Sequence, residues 1–109
     1  MGKFIKGDVV VIPFPFSDMT QTKRRPALVV ADIPGEDIIL LQITSKTIKD
    51  KYTVDLNPSD FIDGNLNQAS SIRPNKIFTF DEKLVLYKAG RISDEKIVEV
   101  ADRIVAIFR

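Results

Sequence analysis

Three cations stand side by side in Lys23-Arg24-Arg25, directly before Pro26 and the apolar run Ala27 to Val30. Guanidinium forks match phosphate oxygens in geometry and charge, so an exposed triad beside a buried strand is a place to hold a phosphate. The residue before a proline is pushed toward extended backbone, which predicts that Arg25 is held more rigidly than Lys23 or Arg24. The plainer alternative is a solvated loop with Arg25 pinned at the strand entry. A second polar group, Thr44-Ser45-Lys46, follows the apolar run that begins at Asp37. Thr44 also has a plain reading, as a strand-end hydroxyl bonded to backbone.

The residue types that are missing narrow the chemistry. The 109 residues include neither His nor Cys. That excludes serine triads of the usual kind, His-ligated metals, a two-imidazole ribonuclease scheme, thiolate nucleophiles, Cys-based zinc sites and disulfides. Net charge is +1, so no overall field draws the chain onto nucleic acid or an anionic membrane, and any anion site is local. Residues 1–51 carry eight Lys and Arg against six Asp and Glu, whereas residues 52–109 carry eight against nine. The positive bias therefore lies in the half that holds the arginine pair. No stretch approaches the roughly 18 apolar residues of a membrane span, and MGKFIKGD has no apolar signal-peptide core. The chain reads as a soluble cytoplasmic protein.

The elements that would position these groups follow from pattern. With 44% hydrophobic and 28% charged residues, the sequence fits one globular domain over 1–109. Val9 to Ile12 is a β-branched run without alternation, as in a strand covered on both faces, and Pro13 and Pro15 predict an edge or a bend after it. Of Phe14 and Phe16, at least one is expected in the core. Ser17 to Arg24 reads as a polar surface loop. Pro34-Gly35 marks a turn between the strands Ala27–Asp32 and Asp37–Thr44. A charged turn over 46–51 then precedes a short strand Tyr52–Leu56, and Asn57-Pro58 opens a single helical turn. Two strands, Ser70–Ile72 and Lys76–Phe80, are expected on either side of Arg73-Pro74-Asn75. Leu84 to Tyr87 reads as a last short strand or a turn of helix before Ala89-Gly90. The C-terminal segment reads as an amphipathic helix capped by Ser93, with Asp94 and Glu95 in its first turn. Its stripe of Ile97, Ala101, Ile104 and Phe108, widened by Val98, Val100, Val105 and Ile107, is expected to pack on the sheet, with a share in a dimer interface as the alternative. Many short strands with a terminal helix imply a small, strongly bent sheet or barrel, mainly β with small α elements.

Taken together and in order, GDVVVIPFPFSD, KRRPALVV, LQITSK and SSIRPNKIFTFDEKLVLYKAGRIS resemble the MazF/PemK family of toxin endoribonucleases. The likeness extends over nearly the whole chain. It implies an SH3-like barrel of the MazF/CcdB type with a C-terminal helix, a homodimer, and a companion antitoxin with which such toxins also bind DNA. It further implies sequence-selective cleavage of single-stranded RNA, with no metal or other cofactor, leaving a 2′,3′-cyclic phosphate. By the same resemblance Arg25 falls on the catalytic arginine, Thr44 on the catalytic threonine, and Ser17–Arg24 on the segment that borders the RNA channel. The chain departs from the better-known pattern in lacking glycines in that segment and in placing Lys46 where some members carry glutamine. Both departures fall where RNA would be read.

In a cleavage that uses the substrate's own 2′-hydroxyl, Arg25 would stabilise the charged phosphorane and Thr44 would donate its hydroxyl to a phosphate oxygen or orient the nucleophile. Lys23, Arg24 and Lys46 would bind phosphates, with Ser45 beside them on the RNA. Arginine is a poor base, so proton removal falls to water or to a carboxylate such as Asp18. Phe16 and Tyr52 are available for base stacking, although each also suits the core. Ser71–Arg73 would share in lining the groove, with a structural ion pair the preferred role for Arg73. Two other functions use the same barrel. One is a non-nucleolytic toxin that inhibits DNA gyrase, against which stands the absence of the Trp-Gly-Ile tail typical of CcdB. The other is a catalytically silent RNA-binding or regulatory module.

Overall fold

The computed structural model describes residues 3–15 and 22–109. Among the described residues seven strands form one sheet: β1 (Asp8–Pro15), β2 (Thr22–Asp32), β3 (Asp37–Thr44), β4 (Val54–Leu56), β5 (Phe61–Gly64), β6 (Ser70–Asp81) and β7 (Tyr87–Ile92). Every pairing is antiparallel, and the spatial order is β4-β6-β3-β2-β1-β7-β5. Short 3-10 turns at Pro58–Asp60 and Glu82–Leu84 lie between strands, and the helix α1 (Asp94–Ile107) follows β7. The result is a curled half-barrel, mainly β, with one C-terminal helix.

The curl is held by a core on each face of the sheet. Alternation along the strands sends Val9, Leu28, Leu41, Ile43, Ile72 and Ile92 to one side, where Val100 of α1 joins them. Val10, Ile12, Ala27, Val29, Ile38 and Leu40 point to the other, covered by Phe14, Phe78 and Phe80. The Phe14 and Phe78 rings meet edge to face at 5.7 Å, and Phe78 meets Phe80 at 6.4 Å. Val9 to Ile12 is buried throughout, as expected for a strand covered twice. Beyond Val11, β1 pairs only with β2, so Pro13 and Pro15 sit where the strand has become an edge and no missing N–H breaks a second ladder.

Several elements depart from the sequence-based expectation. Strand β2 begins at Thr22, so Lys23 and Arg24 are in the ladder opposite Phe14 and Pro13 rather than in a loop. Pairing with β1 outweighs their polarity. Strand β6 runs unbroken through Arg73-Pro74-Asn75: its register with β3 jumps from Gln42–Arg73 to Leu41–Ile77, and residues 74–76 are taken up as a bulge. Tyr52 lies outside β4, which starts at Val54. The last strand begins at Tyr87 and includes Ala89-Gly90 instead of ending before them. Strand β5 was not expected, because FIDG is short and follows a proline turn.

The helix is as expected at its start, where the Ser93 hydroxyl oxygen accepts the Lys96 N–H at 3.2 Å. Its buried stripe is narrower than expected: Val100 is buried and Ile97 and Ile104 are half-buried, while Ala101 and Phe108 are exposed. No helix among the described residues is long and apolar enough to cross a membrane.

Candidate functional site

The register lays out a polar cleft on the face that carries α1. Val11 on β1 pairs with Tyr87 on β7 and with Pro26 on β2, and Ile43 on β3 pairs with Ile72 on β6. Val11, Pro26 and Ile43 form an apolar floor. Alternation then places Arg24 two residues before Pro26, Ser45 two after Ile43 and Ser70 two before Ile72 on the same face. These residues, with Arg25, Tyr87 and the loop Leu66-Asn67-Gln68, enclose about 310 Å³. A smaller cleft of about 150 Å³ adjoins it through Ser45 and Ser70, and is lined also by Lys46, Asp55, Asn57 and Ser71.

Arg25 is half-buried and Arg24 exposed, both within β2. Both arginines line the cleft, and Lys46 lines its neighbour. Thr44 is the last residue of β3 and only 8% exposed, opposite Ser71. Its Oγ1 accepts the Lys46 N–H at 3.2 Å, the strand-end hydroxyl bond anticipated for it, and this contact leaves the hydroxyl proton available for donation. Thr44 lines neither cleft. The β2–β3 ladder ends at Ala27–Gln42, and Arg25 and Thr44 each lie two residues beyond it. By alternation they are on the Ala27 face and not on the α1 face that carries Arg24, so Arg25 borders the cleft from its edge. Lys23 is exposed opposite Phe14 and lies outside both clefts. Phe16 and Asp18 fall outside the described residues. Tyr52 is 39% exposed, so it belongs neither to the core nor to either cleft.

Arg73 makes the ion pair expected of it, with one guanidinium nitrogen 3.6 Å from Asp50, while its Nε is buried and makes no hydrogen bond among the described residues. Asp50 is held below the ordinary carboxylate value, first by the neighbouring Thr53 hydroxyl, then by the Thr53 and Tyr52 N–H groups, with Arg73 adding less. Those two N–H groups donate to Asp50 Oδ1 at 2.8 and 2.9 Å. The Thr53 hydroxyl is buried and makes no well-aligned hydrogen bond among the described residues.

Sequence reasoning missed Tyr87 and Leu66-Asn67-Gln68. The amide pair follows a Gly64-Asn65 turn signal, and Tyr87 closes an apolar run, but neither signal points at Arg24. Only the pairing of β7 with β1 brings them together.

The comparisons agree with this architecture. No curated protein matches by sequence. An endoribonuclease in complex with its cognate antitoxin, from a mycobacterial species, superposes with a TM-score of 0.78 at 13% identity, covering 96% of this chain and 94% of that one. The MazE–MazF structure (Form-III) from Deinococcus radiodurans gives 0.76 at 14% identity, covering 96% and 95%. The toxin MazF-mt6 of Mycobacterium tuberculosis gives 0.69 at 16% identity, covering 91% and 95%. At these identities the likeness is one of fold. The family model described as PemK-like, MazF-like toxin of type II toxin-antitoxin system matches residues 5–108, and the chain belongs to that family.

Proposed function

We propose that this protein is an endoribonuclease that cleaves single-stranded RNA without a metal. The 2′-hydroxyl of one nucleotide attacks the adjacent phosphorus, the bond to the 5′-oxygen of the next nucleotide breaks, and a 2′,3′-cyclic phosphate and a 5′-hydroxyl result. The proton lost by the 2′-hydroxyl is balanced by the one gained at the leaving oxygen. The nucleophile belongs to the substrate, which suits a chain with no His and no Cys.

The observation that carries the reading is the arginine pair Arg24-Arg25 lining a polar cleft in a fold of the toxin family. Arg25, the more buried of the two, meets the phosphorane as charge accumulates on its oxygens. Thr44 donates its hydroxyl proton to a phosphate oxygen, Arg24 and Lys23 hold the flanking backbone, and Ser45 and Lys46 carry the strand into the adjoining cleft. The mycobacterial and Deinococcus complexes support a companion antitoxin, and its blocking of the RNA groove is part of this proposal. A homodimer, and DNA binding in the antitoxin complex, belong to the same reading.

The test is cleavage of a long single-stranded RNA in EDTA. The wild type is expected to give discrete cuts ending in cyclic phosphate, Arg25→Ala to lose activity by about 10²–10³, and Thr44→Val to lose a substantial part of it. Wild-type cutting that needs added metal, or Arg25→Ala at wild-type rate, would overturn the reading.

A further inference from the structure

Opposite the arginines, the cleft has a second wall whose chemistry is not that of phosphate binding. Tyr87 is 51% exposed at the cleft. Its strand pairs with β1 at Val11, and Val11 pairs with Pro26, so Tyr87 and Pro26 stand two strand spacings apart, about 10 Å. Between them lies the apolar floor. The loop beside Tyr87 is tied at both ends: the Asn65 N–H donates to the Ala89 carbonyl at 3.2 Å, and the Ser70 hydroxyl donates to the Gln68 carbonyl at 3.2 Å. Leu66 packs against the core that carries α1, which fixes the loop from beneath. Asn67 and Gln68 are exposed and line the cleft, and neither side-chain amide is engaged in a hydrogen bond among the described residues.

We infer that Tyr87, Asn67 and Gln68 form a nucleobase subsite for the nucleotide whose phosphate the arginines hold. An unstacked base laid on the apolar floor has its face covered by the Tyr87 ring. Each amide offers a donor beside an acceptor, the complement of a base edge that presents both. Phosphate contacts position a strand and carry no sequence information, so the reading of sequence at this position falls to the amide wall. The subsite rests on the proposed RNA chemistry for its purpose, yet it can be tested without cleavage.

The chain has two tyrosines and no tryptophan, so Tyr52→Phe leaves Tyr87 as the sole source of tyrosine fluorescence. Tyr52 lies outside the cleft and is exposed, so that background is expected to fold normally. The probe is an end-labelled single-stranded oligonucleotide with 2′-O-methyl riboses, which lacks the attacking hydroxyl. The control is an abasic strand of the same length, with saturation of both followed through the label. Quenching of Tyr87 by the base-bearing strand and not by the abasic one is expected. Tyr87→Ala is expected to weaken binding of the base-bearing strand about ten- to a hundredfold while leaving the abasic strand unaffected. Asn67→Ala and Gln68→Ala are expected to change the ranking of A, C and U homopolymers. Equal quenching by both strands, or none at saturation, would overturn the subsite. Quenching without RNA cleavage would overturn the nuclease reading and keep the subsite; cleavage without quenching would do the reverse.

Discussion

At the scale of single residues, Asp50 shows how an apparently peripheral carboxylate organises an arginine. It accepts two backbone N–H groups within its own turn and so presents its second oxygen to Arg73 at a fixed place. Its folded-state value lies below the ordinary 3.8, so the ionised form is favoured by folding. The contribution is therefore complete above the ordinary value and is lost as pH falls through the lowered one. Asp50→Asn is expected to be less stable than wild type at pH 7, with the two converging below about pH 4 as the wild-type carboxylate protonates. Urea melts at pH 7, 5 and 3 check this, and a gap that stays constant with pH would refute it. The pairing of Arg73 was legible in the sequence only as an expectation of some ion pair. Its partner was not, because Asp50 reaches it through a turn whose shape depends on Tyr52 and Thr53.

At the scale of elements, the wall formed by residues 65–69 depends on how closely β5 lies against β7. Gly64 has φ of +66°, which a side chain disfavours, and it pairs with Gly90. A Cβ on Gly64 would collide with the Ala89 carbonyl, and one on Gly90 would come within 2.5 Å of the Asp63 carbonyl oxygen. Two backbones therefore approach where no side chain fits. Gly64→Ala is expected to cost about 2 kcal/mol or more by strain and displacement together, measured by chemical denaturation. A variant within about 0.5 kcal/mol of wild type would show that β5 can yield.

The same elements explain what the sequence reveals. Apolar runs buried on both faces, such as Val9–Ile12 and the start of Ala27–Asp32 at Ala27, Leu28 and Val29, declare themselves, as does a capped helix with a 3.6-residue stripe. Strand β5 and the unbroken β6 do not, because a four-residue edge and a bulge around Pro74 are settled by their neighbours in the sheet. The arginines and Thr44 were legible as chemistry beside strands. The opposite wall was not, since Tyr87 and Gln68 meet Arg24 only through long-range pairing.

At the scale of the whole molecule, a net charge of +1 leaves attraction for a polyanion to a local patch. The patch is built from distant parts of the chain and is held by a tie between its ends. Asp8 is nearly buried, accepts the Ile5 N–H at 3.0 Å, and meets Arg91 at 3.1 Å and Lys88 at 3.3 Å. Arg91 also donates to the Lys6 carbonyl at 2.9 Å. Asp8→Ala would leave the Arg91 guanidinium short of its partner and is expected to cost about 3 kcal/mol. Asp8→Asn, which keeps an acceptor for Ile5, is expected to cost less. Thermal or urea unfolding of the two variants checks the order, and equal stability of Asp8→Ala and wild type would refute it.

The central position of β1 between β2 and β7 has a consequence for synthesis. A nascent chain that has emerged only as far as β6 carries β1 with one neighbour missing, Asp8 without Arg91, and the face of Val9, Leu28 and Ile43 without α1. The arginines leave the ribosome long before Tyr87, so the cleft is completed only once β7 has emerged. For a toxin family, that order ties the appearance of an assembled site to the emergence of β7 and α1.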